Sequence, residues 1–405
     1  MDTRLIALAA PLFVLLMLLE AWLSHRRGQQ VYRSHDAISS ISLGLLSVIV
    51  NVLTAGIGLG AYLWVSQLAP LHLPAGAAWV WLLAFVLFDF CYYWHHRLGH
   101  TIALLWAAHS VHHQSEDYNL STALRQPSTT FLFGWLFYLP MALLGIPVAL
   151  YGAVYSLNLL YQFWIHTELV GRLGWFDRVF GSPSNHRVHH GQNAYCLDRN
   201  YGGFLMVWDH LFGTYADERE DDRPIYGVRG ALHSWHPLVA NLKVYLGLLR
   251  ASCSLTQWRD KLQVWLRPPG WTPQGIDLSW DPAAFRKHDP VLPGAWQAYA
   301  WVQFGLCYLS GLLWLVRWPG LGNPVGTGVL VAVLLGVLSL GFWLSQHTWA
   351  HRLEAGRLLL TAWMAWFTPP PVRWGVLALL GLQGLWLLRI ATRPTAPVHA
   401  VSASD

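Results

Sequence analysis

Long uninterrupted apolar stretches constrain the fold of this chain more than any other feature of its sequence. Only 12% of its 405 residues are charged, whereas soluble domains carry about 25%. The stretches long enough to cross a hydrocarbon core of about 30 Å lie at 4–23, 39–65, 77–94, 129–146, 147–165, 297–316, 325–345 and 372–390. The sequence therefore predicts an all-α integral membrane protein, a helical bundle with eight spans. A further apolar run at 358–367 is too short to cross alone and is expected to lie in the interface or join a neighbouring helix.

The first apolar stretch is expected to be a membrane anchor rather than a secretory signal peptide. It carries Glu20 near its end and no small-x-small cleavage site before Arg26 and Arg27. Basic residues are concentrated on its carboxyl side, so the positive-inside bias places residues 24–38 in the cytoplasm. Alternating spans then bring segments 95–128 and 166–295 to the same side, where they are predicted to form a cytoplasmic helical cap.

Composition predicts three regions along the chain. Residues 1–75 carry the N-terminal anchor spans, residues 76–295 the spans and cap that contain the clustered histidines, and residues 296–405 a C-terminal membrane block with a short polar tail. The approach to the last region is marked by the breakers Pro268, Pro269, Gly270, Pro290 and Pro293.

Nine histidines recur at regular spacing, and they are the strongest functional signal in the chain. Two form H-x-x-x-H, two triplets form H-x-x-H-H, and one stands alone: His96 and His100; His109, His112 and His113; His186, His189 and His190; and His166. Residues at i, i+3 and i+4 share a helix face, so each motif is expected to aim its imidazoles at one point. One straight helix from His100 to His109 would put those two on opposite faces, so the chain must turn between them.

The donor count predicts a histidine-rich dimetal site in the cap. One zinc ion takes about four ligands, so nine imidazoles are too many for a single tetrahedral site and suit two ions with open positions. Zinc, copper, iron and nickel all accept imidazole, which leaves the metal open at this point. For the third motif, Ser182 is expected to cap a short helix, Pro183 to take its first position and Gly191 to permit its end.

Other chemistry-bearing residues are less patterned. Asp89 lies on the helical stripe of His96 and His100, so it is a candidate to hold a ligating imidazole, with helix packing as the alternative. The eleven remaining histidines fit no repeated template and are read as structural or solvent-facing: His25, His35, His72, His95, His210, His233, His236, His288, His347, His351 and His399. The four cysteines show no C-x-x-C spacing and are expected to be ordinary buried thiols without disulfides. The net charge of +5 is scattered, so nucleic acid is excluded as a partner.

The histidine motifs and their flanks resemble the fatty acid hydroxylase and sterol desaturase superfamily. The resemblance rests on DFCYYWHHRLGH, LWAAHSVHHQSEDYNLSTALRQ, QFWIHTELVG, PSNHRVHHG and DRNYGGFLMVWDHLFGTY, over about residues 80–215. The continuation through HSWHPLVAN and RKHDPVLPGAW into a C-terminal membrane block is most similar to the alkylglycerol monooxygenase branch.

The resemblance implies that the nine histidines bind two iron ions on the cytoplasmic face, although a purified sample can carry zinc. It implies O2-dependent hydroxylation of a lipid C–H bond beside an ether oxygen, which yields a hemiacetal that collapses to an aldehyde and glycerol. Electrons would come from an external reductant, tetrahydrobiopterin in that branch, or from a donor protein. Asp198, Asn200 and Asp209 match its loop motifs and are expected to hold ligating histidines, with turn and cap roles as the alternative.

Three other functions remain open from the sequence. A sterol or fatty acid hydroxylase or desaturase would keep the same ligands but differ in substrate and reductant. A metal or proton transporter would need polar residues through several spans, yet the spans are nearly free of charge apart from Glu20 and Asp89. A zinc-dependent lipid hydrolase would also accept imidazole ligands, but the chain has no H-E-x-x-H arrangement.

Overall fold

The computed structural model describes residues 3–276 and 279–391, and the chain is helical through most of them. It forms two compact units, the first reaching His288 and the second beginning at Asp289. The α-helices, in chain order, are α1 (Thr3–Arg26), α2 (Ser34–Ser66), α3 (Ala78–Thr101), α4 (Ala103–His113), α5 (Leu120–Ala123), α6 (Leu139–Leu143), α7 (Val148–Trp164), α8 (Trp175–Val179), α9 (Pro183–His190), α10 (Val207–Leu211), α11 (Pro237–Ser254), α12 (Trp258–Leu266), α13 (Gly294–Arg317), α14 (Pro324–Leu344), α15 (Ala350–Ala365) and α16 (Pro370–Ala391). Short 3₁₀ helices span Thr130–Leu132, Gly134–Tyr138 and Pro282–Ala284. Strands β1 (Trp271–Thr272) and β2 (Gly275–Ile276) pair antiparallel.

Six helices within the described residues are long and apolar enough to cross a membrane: α1, α2, α3, α13, α14 and α16. The predicted count of eight spanning helices is therefore wrong. Residues 129–146 form two 3₁₀ helices and α6 instead of one helix, because Pro140 cannot donate a backbone hydrogen bond and glycines at 134 and 145 weaken the helix further. Helix α7 has only 17 residues. The short apolar run predicted at 358–367 is mostly the second half of α15.

Residues 129–164 nevertheless form a hairpin that runs out along α2 and returns along α3. At one end Ser47 Oγ donates to the Pro127 carbonyl (2.8 Å), and at the other Tyr62 Oη donates to the Ile146 carbonyl (2.9 Å). Ser47 and Tyr62 lie about 22 Å apart along the helix axis. Helix α7 then returns the chain to the end from which it started.

An aromatic core fixes α3 against this hairpin. Phe88 is buried and stacks on Tyr138 with ring centroids 5.0 Å apart, while Tyr62 stacks on Tyr151 at 4.7 Å. Removing a buried ring such as that of Phe88 costs about 3–5 kcal/mol. The core therefore holds firmly the helix whose last two turns carry His96 and His100.

The chain turns between the first two histidine motifs, as the spacing predicted. Helix α3 ends at Thr101, and Ile102 is extended (φ −119°, ψ 118°) before α4 begins at Ala103. The Ala103 amide donates to the Arg267 carbonyl (2.9 Å) just beyond α12. This turn brings the histidines of α4 back over those of α3.

The prediction for α9 is also confirmed. Ser182 caps the helix by accepting a hydrogen bond from the Asn185 amide (3.3 Å), Pro183 occupies the first turn, and Gly191 follows the last helical residue. All eight residues of the helix are buried. An eight-residue helix is too short to be stable alone, so its stability comes from this burial.

The described part of the second unit consists of α13 to α16, and a buried ion pair lies within it. Arg357 donates to both carboxylate oxygens of Glu354 at 2.6 and 2.8 Å, and Tyr299 and Ser339 donate to the same carboxylate. Every lone pair that the burial of Glu354 takes from water is thus compensated by a donor.

Candidate metal centre

Nine imidazoles converge in two groups whose ligand atoms lie within 4.8 Å of one another inside each group. The first group contains His96, His100, His109, His113 and His189, and the second contains His112, His166, His186 and His190. These are the nine histidines that the spacing singled out. Of the other histidines, His236 caps α11 by accepting from the Leu238 amide, and His399 lies outside the described residues.

Each H-x-x-H-H motif is divided between the two groups. Helix α4 gives its i and i+4 histidines, His109 and His113, to the first group and its i+3 histidine, His112, to the second. Helix α9 does the reverse, with His186 and His190 in the second group and His189 in the first. The expectation that each motif aims at one point is therefore wrong. Successive helical residues are 100° apart, so the i+3 and i+4 side chains diverge enough to reach two points.

Four of the imidazoles donate Nδ1–H to a backbone carbonyl. His96 and His189 donate to Tyr201 and Arg199, both at 2.9 Å, and His112 donates to Arg125 at 2.9 Å. His166 donates to Gln162 at 2.7 Å. A carbonyl oxygen only accepts, so Nδ1 carries the proton and Nε2 is left with a free lone pair. This is the tautomer that binds metal through Nε2.

The free lone pairs point at one another. The Nε2 atoms of His112 and His166, which both have a free lone pair, are 3.2 Å apart. The Nε2 atom of His186 lies 3.0 Å from that of His166. Two bare lone pairs repel at this distance, whereas two imidazoles bound at about 2.1 Å and at right angles to one ion would be about 3.0 Å apart. The Nε2 atoms of His96 and His100 are buried and have no hydrogen-bond partner among the described residues. The donor set therefore fits a metal ion in each group.

Burial keeps the imidazoles neutral. Loss of hydration lowers the pKa of His112 to about 4 and that of His189 to about 3. The pKa of His113 lies well below its usual range for the same reason, with further lowering by neighbouring imidazoles. Because metal binding requires the neutral ring, ions can bind without first displacing protons at pH 7.

Within the described part of the chain, the hydrogen bonds of Asp89 go to a loop and a tryptophan and not to an imidazole. Asp89 is fully buried and accepts hydrogen bonds from the Phe204 and Leu205 amides and from Trp208 Nε1, at 2.8, 3.2 and 2.9 Å. The predicted direct contact is thus replaced by support of the loop that follows the third histidine motif.

The other three loop candidates also form hydrogen bonds with the loop or its neighbours. Asp209 accepts from the Tyr201 and Gly202 amides at 2.8 and 2.7 Å. Asn200 donates from its side-chain amide to the Asn185 carbonyl, and Asp198 accepts from Tyr201 Oη at 3.1 Å. These contacts fix the loop whose carbonyls, at 199 and 201, orient His189 and His96.

Sequence reasoning missed Arg125, Trp106 and Tyr118. Arg125 is fully buried, donates to the Val111 carbonyl (2.9 Å) and supplies the carbonyl that orients His112. Trp106 lies 5.0 Å, centroid to centroid, from His100, and Tyr118 lies 5.4 Å from His190. All three residues lie in the segment that carries the family resemblance, but none of them follows a repeated spacing that would have marked it in the sequence.

Comparison with known proteins is consistent with this geometry. Residues 81–214 match the family model described as fatty acid hydroxylase, and all nine histidines lie in that range. An alkylglycerol monooxygenase of Danio rerio is 40% identical over 362 residues, which cover 87% of this chain and 80% of that protein. The protein of the same name from Homo sapiens is 36% identical with the same coverage. The chain belongs to the alkylglycerol monooxygenase family.

More distant similarity reaches beyond the alkylglycerol monooxygenase family. An ornithine lipid hydroxylase of Rhizobium tropici is 28% identical over 150 residues, which cover 37% of this chain and 45% of that protein. No solved structure matches the chain. These names are those of lipid-hydroxylating oxygenases, and with six candidate spans the chain is a multi-pass membrane member of that superfamily.

Proposed function

We propose that the protein is a non-haem di-iron monooxygenase that hydroxylates a C–H bond of a membrane lipid. The observation that carries the proposal is the pair of histidine groups, in the second of which the Nε2 lone pairs of His112 and His166 face each other with no proton between them. Each group would hold one iron ion. The proposed ligands are the nine histidines of those groups, and a purified sample can carry zinc in their place.

The metals would supply the oxygen and electron-transfer chemistry that no side chain of this chain offers. The residues of the chain do the rest. Backbone carbonyls at 125, 162, 199 and 201 fix the tautomer and orientation of four rings. The buried walls exclude water and hold one methylene of the lipid close to the oxidant.

The proposed substrate is an alkylglycerol ether, which hydroxylation beside the ether oxygen would cleave to an aldehyde and glycerol. Support comes from relatives named alkylglycerol monooxygenase, which are 34–40% identical to this chain over most of its length. A sterol or fatty acid hydroxylase or desaturase with the same ligands is the competing assignment. It has weaker support, because the fatty acid hydroxylase vlmA of Lecanicillium is 29% identical over 38% of the chain.

The reductant is proposed to be external. The sequence has no glycine-rich dinucleotide fingerprint, so a diffusible donor such as tetrahydrobiopterin or a donor protein would bring the electrons.

The metal centre is proposed to face the cytoplasm. Three long helices precede it, and Arg26, Arg27 and Arg33 follow the first of them, as expected for a cytoplasmic end. We retain the assignment of residues 1–75 to the anchor, 76–295 to the catalytic domain and 296–405 to the C-terminal membrane block.

The first experiment is elemental analysis of protein purified from membranes in mild detergent without added metal. We expect about two irons per chain, together with O2- and reductant-dependent release of aldehyde from an alkylglycerol. Two zinc ions with hydrolysis that needs no O2 would instead indicate a lipid hydrolase. A folded protein that binds no metal would exclude the proposal, and metal uptake into sealed vesicles without oxidation would favour the transporter.

A further inference from the structure

Helix α11 has two apolar faces on opposite sides. Leu242, Leu246 and Leu249 form an exposed stripe and are 43%, 46% and 51% accessible. Two positions after each stripe residue, about 200° around the helix, lies a residue that lines a cavity: Val244, Leu248 and Ala251. A helix with an apolar face toward the protein and another away from it must have an apolar neighbour on both sides.

Helix α12 repeats the pattern. Trp258, Leu262 and Leu266 are exposed at spacings of four residues, with Trp258 73% accessible, while Val264 is 4% accessible and lines the same cavity. Lys243 and Arg250 lie seven residues apart on one flank of α11. The Lys243 ammonium donates to the Ala231 and Leu232 carbonyls, whereas Arg250 is exposed beside the stripe. Exposed apolar stripes with flanking basic residues are typical of helices that lie in a membrane interface.

Two contacts place these helices at the end of the membrane-crossing segments. Tyr245 Oη donates to Thr129 Oγ1 (3.2 Å) where the hairpin of residues 129–164 begins, and the Arg267 carbonyl accepts from the Ala103 amide just after α3 ends. The exposed stripes therefore lie at the depth where the chain leaves the hydrocarbon region. This end of the bundle is also the one that carries the histidines.

The cavity between α4, α11 and α12 leads toward the first histidine group. Its volume is about 390 Å³, and its inner wall includes Trp106. The Trp106 ring is 5.0 Å from His100 and 5.6 Å from His113, centroid to centroid. The first group also contains the half-buried His100 and His109, whereas all four members of the second group are buried. The first group is thus the more accessible one, and Trp106 stands between it and the cavity.

We infer that this cavity is the access site through which a lipid from the surrounding leaflet reaches the metal centre, with Trp106 at its inner end. The inference rests on the proposed function and adds the route of the substrate. At about 30 Å³ per heavy atom, the cavity holds roughly 13 atoms, so it takes only one end of a lipid. The remainder of the alkyl chain stays in the surrounding bilayer.

A substitution at Gly247 can fill the cavity. Gly247 lines the cavity, and a Cβ added there would meet no atom within 4 Å, so a larger side chain can enter without a backbone clash. The test variant is Gly247→Phe, with Val244→Phe as a second variant on the cavity face. The matched control is Leu249→Phe, which places the same ring on the outer stripe.

The probe is an alkylglycerol with a diazirine in its alkyl chain, photolysed in lipid nanodiscs and mapped by mass spectrometry. We expect labels on Trp106, Val244 and Leu248 in the natural protein. Label at those positions should fall about tenfold in both cavity variants, with unchanged metal content and a raised KM, but not in Leu249→Phe. Labelling between the long helices alone, or equal cavity labelling in all variants, would overturn the inference. Cavity labelling without oxidation of any lipid would refute the proposed reaction and leave the access site standing.

Discussion

Replacing Asp209 with asparagine should weaken metal binding by the first histidine group and leave the second unchanged. The Asp209 carboxylate is fully buried and accepts from the Tyr201 and Gly202 amides and from Thr214 Oγ1. Asparagine keeps one acceptor oxygen, so at least one buried N–H loses its partner. An unpaired buried N–H costs about 1–3 kcal/mol. If the whole of this cost falls on the metal-bound state, the metal affinity of the first group decreases by roughly 5- to 150-fold.

The selectivity follows from which carbonyls the loop supplies. Tyr201 orients His96 and Arg199 orients His189, and both imidazoles belong to the first group. The carbonyls that orient rings of the second group, at 125 and 162, lie on other segments of the chain.

The assay is elemental analysis after equilibration with increasing chelator. Asp209→Asn should lose one of two ions at about tenfold lower chelator than the natural protein. Asp177→Asn is the matched control, because Asp177 is buried on α8 but accepts only from the Leu173 amide, and its Oδ1 has no partner among the described residues. Parallel loss of both ions from Asp209→Asn, or no change, would refute the reasoning.

Three further predictions concern α9 and its surroundings. His189→Ala should empty the first site and His190→Ala the second, because the two histidines belong to different groups. Metal-selective spectroscopy should therefore show that the two variants lose different ions. Loss of the same ion from both variants would contradict the assignment. Burial lowers the pKa of His189 to about 3, so below pH 6.5 the unfolded chain binds more protons than the folded one. The metal-free protein should therefore lose up to about 1.4 kcal/mol per pH unit for each such histidine as pH falls from 6.5, and a flat thermal-unfolding profile would argue against neutral buried rings. Arg187→Leu should lower the free energy of unfolding by about 3–5 kcal/mol. The substitution removes the buried guanidinium whose Nε lies 2.7 Å from Glu218 Oε1. Arg172 forms an exposed ion pair with Asp217, so Arg172→Leu should lower the free energy of unfolding by only about 0–1 kcal/mol. Equal decreases in Tm for the Arg187 and Arg172 variants would contradict this difference.

Spacing predicted which histidines come together but not how they divide. The turn near residue 102 and the cap at Ser182 followed from helical periodicity and local capping chemistry, which depend on neighbouring residues only. The division of each triplet depends on the position of two points in space relative to the helix axis. The sequence of one helix does not specify those points. Residues i, i+3 and i+4 lie on the same broad face whether their side chains reach one ion or two.

The partners of the imidazoles were harder to predict for a different reason. Most are backbone carbonyls, such as that of Arg125, and every residue type has one. Asp89 had the right spacing for an imidazole partner, yet three donors from the loop at 204–208 satisfy its carboxylate. The tertiary contacts give Asp89 a third role, which neither of the two sequence alternatives included.

The division of the two histidine triplets has a consequence for assembly. Since α4 and α9 each contribute to both groups, neither ion can be bound without bringing both helices together. An ion bound in either group therefore holds both helices in place. Protein that keeps a single ion should therefore protect the backbone amides of both α4 and α9 from hydrogen exchange more than metal-free protein does.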